Sequence, residues 1–241
     1  DSGGGSAFAS ETIRQELLEF KKKGKPLIVS MGTLAASGAY WISADADEIW
    51  AAPDTLTGSI GIFMAVPTFE NLLQSGGIHR DGVGTTNLSG AMDLSRPLSP
   101  EVKEAIQLSL DDGYRTFLSV VSEGRNIPMQ KMDSVAQGKV FSGTDALETG
   151  LVDRLGNLKS AIDSAASIAG LGEYEVSTLQ PYLSLRERLF QKFGTSLANH
   201  FSKNSEFGRL FFQLLSSGSE FQNILLFRDP KGMYAHCMLN Y

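Results

Sequence analysis

The chain is 241 residues long, enough for one large domain or one domain with an appendage. Its 42% hydrophobic and 20% charged residues exclude wholesale disorder, and a net charge of −6 argues against nucleic acid as a partner and gives no attraction to an anionic membrane surface. The single cysteine, Cys237, excludes an internal disulfide, and no apolar run approaches the roughly 18–20 residues needed to cross a bilayer.

The chain opens at Asp1 within the glycine turn Asp1-Ser2-Gly3-Gly4-Gly5-Ser6, without a methionine or a signal peptide, and reads as a fragment or a processed product. Ile13, Leu17 and Phe20 then recur at helical spacing over 10–22, and Gly24 and Pro26 stop that helix. Leu27–Ser30 reads as a buried strand, followed by a short helix over Ser37–Ala46. Glu48–Ala52 and Ile60–Val66 read as further strands, with a short helix over Thr68–Ser75. Ser99-Pro100 is an N-cap with proline in the first helical position, and it opens a long helix through Val102, Ile106, Phe117 and Val121 that ends before Gly124.

Residues 138–153 give strand, turn, short helix and strand (Lys139–Phe141, Thr144–Glu148, Leu151–Asp153), and Lys159–Ile168 is an alanine-rich helix ended by Gly170. This alternation predicts α/β layers around a largely parallel sheet. From about Pro181 the texture changes to amphipathic helical pieces over 182–227. Their apolar stripes face either a core or, alternatively, a membrane surface. The expected division is an α/β domain over 1–175 and a mostly helical extension over 176–241.

Three clusters carry chemistry. Ser37 lies in Leu34-Ala35-Ala36-Ser37-Gly38-Ala39-Tyr40, after an apolar run. A serine before glycine at a small-residue turn exposes a hydroxyl nucleophile and frees the next N–H for a developing oxyanion, or else merely caps a helix. The glycine loop Gly3–Gly5 offers a second N–H donor; as a phosphate cradle it lacks the lysine and spacing of a P-loop. Thr57-Gly58-Ser59-Ile60-Gly61 is either a plain tight turn or a device that sets Ser59 beside a catalytic base. His79, His200 and His236 have no metal-ligand spacing, and no metal or cofactor is expected; His79, at the end of the α/β core, is the alternative triad base. Asp45, Asp47 and Glu48 read as a solvated helix end, and Tyr40 and Trp41 as packing residues.

Together, Asp1–Ser6, Val29-Ser30-Met31-Gly32, Ala35-Ala36-Ser37-Gly38, Leu56–Ile62, Gly150-Leu151-Val152-Asp153 and the ending from Asp229-Pro230 to Tyr234-Ala235 resemble the signal peptide peptidase A (protease IV) family, and specifically the C-terminal half of its long bacterial form. The resemblance implies a Clp-protease/crotonase-like fold and a serine peptidase with a Ser–Lys dyad. It implies Ser37 as nucleophile, Gly38 and Gly4 N–H groups as oxyanion hole, Ser59 as the residue that holds the lysine, and Met31 and Leu34 as lining for apolar substrate side chains. It further implies hydrophobic peptide substrates such as cleaved signal peptides, a homo-oligomer (a tetramer in the long form), and a place on the outer, periplasmic face of the bacterial cytoplasmic membrane.

Two positions depart from that pattern. Gly3 stands where the family has proline. The region that carries the lysine in short-form members is here Thr85-Thr86-Asn87-Leu88-Ser89-Gly90-Ala91, which contains no base. In the long form the lysine comes from the N-terminal half, so this chain alone is expected to be inactive. The alternatives are a Clp-type peptidase with a Ser-His-Asp triad, a crotonase-type acyl-CoA enzyme, or a non-catalytic scaffold module.

Overall fold

A computed structural model describes residues 1–86, 88–91, 93–179 and 233–236. The strands are β1 (Gly4–Ser6), β2 (Ile28–Ser30), β3 (Leu34–Ala36), β4 (Glu48–Ala51), β5 (Leu56–Gly58), β6 (Val140–Ser142), β7 (Arg154–Leu155) and β8 (Tyr234–His236). The helices are α1 (Ala7–Lys22), α2 (Gly38–Ser43), α3 (Glu70–Ser75), α4 (Pro100–Arg125), α5 (Met132–Val135), α6 (Gly143–Thr149) and α7 (Leu158–Ile168).

Parallel pairing dominates the layers, as the alternation of elements predicts. β2, β4 and β7 form one parallel sheet with Val29 opposite Ile49 and Trp50 opposite Arg154. β3 pairs parallel with β5, and β5 antiparallel with β6. Ser2 bridges Ala35, and β1 pairs antiparallel with β8, setting Gly5 opposite Ala235.

Local chemistry explains the helix ends. Ser6 Oγ accepts the Ala9 N–H at 3.1 Å to start α1, which begins three residues earlier than its apolar spacing indicates. Ser99 Oγ accepts the Val102 N–H at 3.3 Å to start α4. That helix does not stop before Gly124. It runs to Arg125 and closes on Asn126 in the left-handed conformation, because Gly124 lies inside a helix crossing where an added Cβ would overlap the Ala44 carbonyl.

Two expected strands differ from the observed ones, and one observed strand was not expected. Ile60–Val66 is not a strand. Positive φ at Gly58 (81°) and Ser59 (50°) turns the chain out of β5, and beyond them Phe63 alone makes a bridge, to Tyr234. Leu151–Asp153 gives way to β7, because the Leu151 and Val152 N–H groups both donate to the Ala146 carbonyl at the end of α6 (2.8 and 3.1 Å). Leu34–Ala36, expected as part of a turn, is the fully buried β3.

The core gathers Tyr40 and Trp41 of α2, Ile49 of β4, Phe117 and Val121 of α4, and Leu151. The Trp41 and Phe117 rings stack at 4.5 Å between centroids. Each such side chain contributes about 1.5–3 kcal/mol by burial. Tyr40 is completely buried, its phenol pushed up in pKa by that burial, and its OH donates to the Leu151 carbonyl at 2.7 Å. The expected solvated acidic cluster is instead fully partnered. Asp45 pairs with Arg14, Asp47 accepts the Leu27 N–H (2.8 Å) and pairs with Lys21 (2.8 Å), and Glu48 pairs with Arg154 (3.0 Å).

The chain divides into one unit of Asp1–Gly172 with Asp229–Tyr241, and a second of Glu173–Arg228. The helical pieces expected over 182–227 lie outside the described residues. Residues 234–236, expected within a mostly helical extension, form a strand of the first unit. Among the described residues no helix is long and apolar enough to cross a membrane.

Candidate active site

Ser37 ends β3 and begins α2 with φ 55° and ψ −114°, a conformation unfavourable for a residue with a Cβ. The surroundings hold it there: its N–H donates to the Gly58 carbonyl (2.8 Å) and its carbonyl accepts from the Trp41 N–H (2.9 Å). A strained serine between a buried strand and a helix is the geometry that projects a hydroxyl out of a sheet. The hydroxyl does not cap α2, so the capping alternative does not hold.

The pairing of β3 with β5 brings Ser59 to Ser37, since Ala36 lies opposite Gly58 and Thr57 Oγ1 donates to the Ala35 carbonyl at 2.7 Å. Both serines line one cavity of about 460 Å³. Its other wall is one face of α4, where Gln107, Leu110, Asp111 and Tyr114 follow i, i+3, i+4, i+7 spacing, and Ile62 and Phe63 complete the apolar lining. Neither hydroxyl has a hydrogen-bond partner among the described residues.

The glycine loop reaches the same place. Ser2 donates its N–H to the Leu34 carbonyl (2.8 Å), and Asp1 Oδ1 accepts the Leu34 N–H (2.9 Å), fastening the loop to β3. Gly4, at φ 96°, packs so closely that an added Cβ would stand 2.6 Å from the Gly38 nitrogen and overlap the Ala235 carbonyl. The Gly4 N–H donates to Ser2 Oγ at 3.1 Å, whereas the Gly38 N–H has no acceptor among the described residues.

Met31 and Leu34 are not brought into this cavity. Met31 is 6% exposed in the main core and Leu34 is 1% exposed in a small cluster with Ala36 and Leu56. The apolar lining comes from Ile62, Phe63 and Leu110, which the sequence does not single out: the first two fall in the expected strand over 60–66 and the third lies within the long helix that opens at Ser99-Pro100. His79 is exposed and does not line the cavity; His200 lies outside the described residues, and of His236 only the backbone is described. The described residues of 85–91 do not line it either. Ser59 donates its N–H to the Lys139 carbonyl (2.7 Å), yet the Lys139 ammonium points away, to the Asp133 and Ser134 carbonyls (3.2 and 3.4 Å). Among the described residues the cavity therefore has two uncommitted serine hydroxyls and no lysine or histidine in its lining.

A larger hollow of about 720 Å³ lies around Arg80, Leu88 and Asp93, but Asp93 is already paired with Arg80 and Arg96 there and no strained or uncommitted hydroxyl points to catalysis. The described residues contain no group of His, Cys, Asp and Glu able to hold a metal ion.

Residues 19–172 match peptidase family S49. The chain is 39% identical to Protease 4 of Haemophilus influenzae over 99% of its own length and 39% of that protein, and 39% identical to Protease 4 of Salmonella typhi with the same coverage. It is 37% identical to the chloroplastic serine protease SPPA of Arabidopsis thaliana, over 71% of this chain and 25% of that one. The chain thus spans well under half the length of each of these relatives. Among solved structures it is similar to a mutant membrane-bound stomatin-specific protease in complex with a substrate peptide, at 15% identity and a TM-score of 0.34 over 70% of this chain and 69% of that one. So loose a superposition carries no weight, and the layered α/β description rests on the strand pairings themselves. By the family match over 19–172, which contains both Ser37 and Ser59, this chain belongs to peptidase family S49.

Proposed function

We propose that this chain is the nucleophile-bearing part of a serine endopeptidase that degrades cleaved signal peptides and other hydrophobic peptides. The observation that carries the proposal is the strained Ser37, its hydroxyl uncommitted, beside the unpaired Gly38 N–H in a cavity that holds Ser59 and, among the described residues, no lysine or histidine.

A serine hydroxyl is a poor nucleophile near neutral pH and needs a group to take its proton. The general base is a lysine amine supplied from outside these residues, by the N-terminal half of the same protein, and Ser59 Oγ holds it. Burial lowers the pKa of such a lysine and favours the free amine. Ser37 Oγ attacks the peptide carbonyl carbon as its proton passes to the amine. The oxyanion accepts the Gly38 N–H, and the Gly4 N–H once it exchanges Ser2 Oγ for the substrate, at a few kcal/mol of stabilisation per donor. The lysine then protonates the leaving amine, the C–N bond breaks, and water activated by the same amine hydrolyses the acyl-enzyme. The protein works as a homo-oligomer, a tetramer, on the periplasmic face of the bacterial cytoplasmic membrane.

Cleavage of an apolar, signal-like peptide by this chain, alone and mixed with the N-terminal half, tests the reading. Activity confined to the mixture and abolished by Ser37→Ala is the expected result. Activity of the chain alone overturns the supplied lysine, and activity that survives Ser37→Ala in the intact protein overturns Ser37 as nucleophile.

A further inference from the structure

Among the described residues, Asp111 supplies the only formally charged side chain in the lining of the Ser37 cavity. Other carboxylates of this fold are neutralised where they lie: Asp45 by Arg14, Asp47 by Lys21, Glu48 by Arg154, Asp93 by Arg80 and Asp153 by Arg125. Asp111 has no cationic partner among the described residues. The Gln107 side-chain amide donates to its Oδ1 at 2.8 Å, one helical turn away, which fixes the carboxylate and leaves Oδ2 open. Lys139, whose carbonyl accepts the Ser59 N–H, turns its ammonium outward to the Asp133 and Ser134 carbonyls.

The same lining carries the apolar side chains of Ile62, Phe63 and Leu110 beside the polar ones of Ser37, Ser59, Gln107, Tyr114 and Gln137. A cavity that combines apolar side chains with one carboxylate lacking a cationic partner matches a side chain with a hydrocarbon stem and a cationic tip. The volume, about 460 Å³, is that of a ligand cavity. Ser59 and Asp111 stand on different walls, one after β5 and the other on α4. A base held at Ser59 and a cation held at Asp111 therefore need not compete.

We propose that Asp111 makes this cavity a subsite for a lysine or arginine side chain of the bound peptide. The inference rests on the peptidase reading and narrows its substrate class to apolar peptides that carry a cationic residue close to the scissile bond. Secretory signal peptides have that composition, a positively charged segment leading into an apolar run. An arrangement that selects the pair of features, rather than apolarity alone, discriminates such peptides from other apolar chains.

The test uses the intact protein carrying Ser37→Ala and measures binding of apolar peptides that hold one lysine, or its uncharged counterpart norleucine, at successive positions. At one position lysine is expected to bind about fivefold more tightly than norleucine, a preference that weakens with added salt. Asp111→Asn is expected to abolish the preference and Asp111→Lys to reverse it in favour of glutamate. No position with a lysine preference, or a preference that survives both substitutions, overturns the proposal, as does a uniform loss of affinity for every peptide. Residual cleavage by Ser37→Ala instead sinks the serine-peptidase reading, while the lysine-to-norleucine ratio still decides the role of Asp111.

Discussion

The carbonyl oxygen of Ala235 is seated against Gly4 so closely that no side chain fits between them. Two segments more than two hundred residues apart in sequence thus fix the glycine loop over Ser37, since Gly5 stands opposite Ala235 in the β1–β8 pair and Tyr234 exchanges hydrogen bonds with Phe63 on its other edge (3.0 Å each way). Gly4→Ala must push β8 away or shift the Gly38 nitrogen. It is expected to cost about 1–3 kcal/mol of stability and to lower kcat/KM about a hundredfold in the intact protein. Chemical denaturation and steady-state kinetics check the two halves; unchanged kinetics would mean that the loop plays no part at the reacting carbonyl.

Ser59 is held at φ 50° by its N–H bond to the Lys139 carbonyl, while its hydroxyl is engaged by nothing in the described fold. Ser59→Ala is therefore expected to leave the melting temperature within about 2 °C of the parent while kcat falls about 10- to 100-fold. A large fall in melting temperature with kcat unaltered would assign the hydroxyl to the fold instead.

Lys139 is the in-chain lysine whose backbone lies closest to the paired serines by hydrogen bonding, and its ammonium is spent on the Asp133 and Ser134 carbonyls. Lys139→Ala is expected to keep peptidase activity of the intact protein within about twofold, as for an exposed side chain outside the chemistry. Loss of turnover with the fold intact would place the base inside this chain.

Acid should unfold the protein through particular carboxyls. Burial pushes Glu11 up, but the combined hydrogen bonds from Arg14, Gln15 and Trp41 hold it below its ordinary range. Burial likewise raises Asp47, outweighed by the Leu27 N–H and Lys21. The Ser164 hydroxyl leads the groups that lower Glu48, with Trp50 and Arg154 behind it. Each binds a proton less readily folded than unfolded, so its contribution is complete above the unfolded value near about 4 and disappears as pH falls through the lower folded value. Denaturant midpoints should fall steeply below about pH 4, and Asp47→Asn should flatten that slope. A slope identical in the variant would remove Asp47 from the account.

Much of the helical frame was legible in the sequence because capping and periodicity are local. Ser99-Pro100 marks the start of α4 through one hydroxyl and one fixed φ, and Gly24 marks the end of α1. Short strands were harder. β3, β5 and β8 are three residues each, too short for a period, and they exist because partners from elsewhere in the chain satisfy their backbones. Gly124 misled in the opposite sense: what looks like a helix stop is a packing contact with Ala44.

The sequence by itself determined the chemistry on offer: a serine before glycine, a glycine loop, a second serine after Gly58, and no lysine between Lys25 and Lys103. Those are properties of residue type and spacing, which the chain carries before it folds. Only the tertiary structure decided which groups share a cavity. It set Ser59 beside Ser37 through the β3–β5 register, withdrew Met31 and Leu34 into the core, turned the Lys139 ammonium outward, and brought Asp111 in from α4. Such meetings depend on contacts between segments far apart in sequence, and no local propensity encodes them.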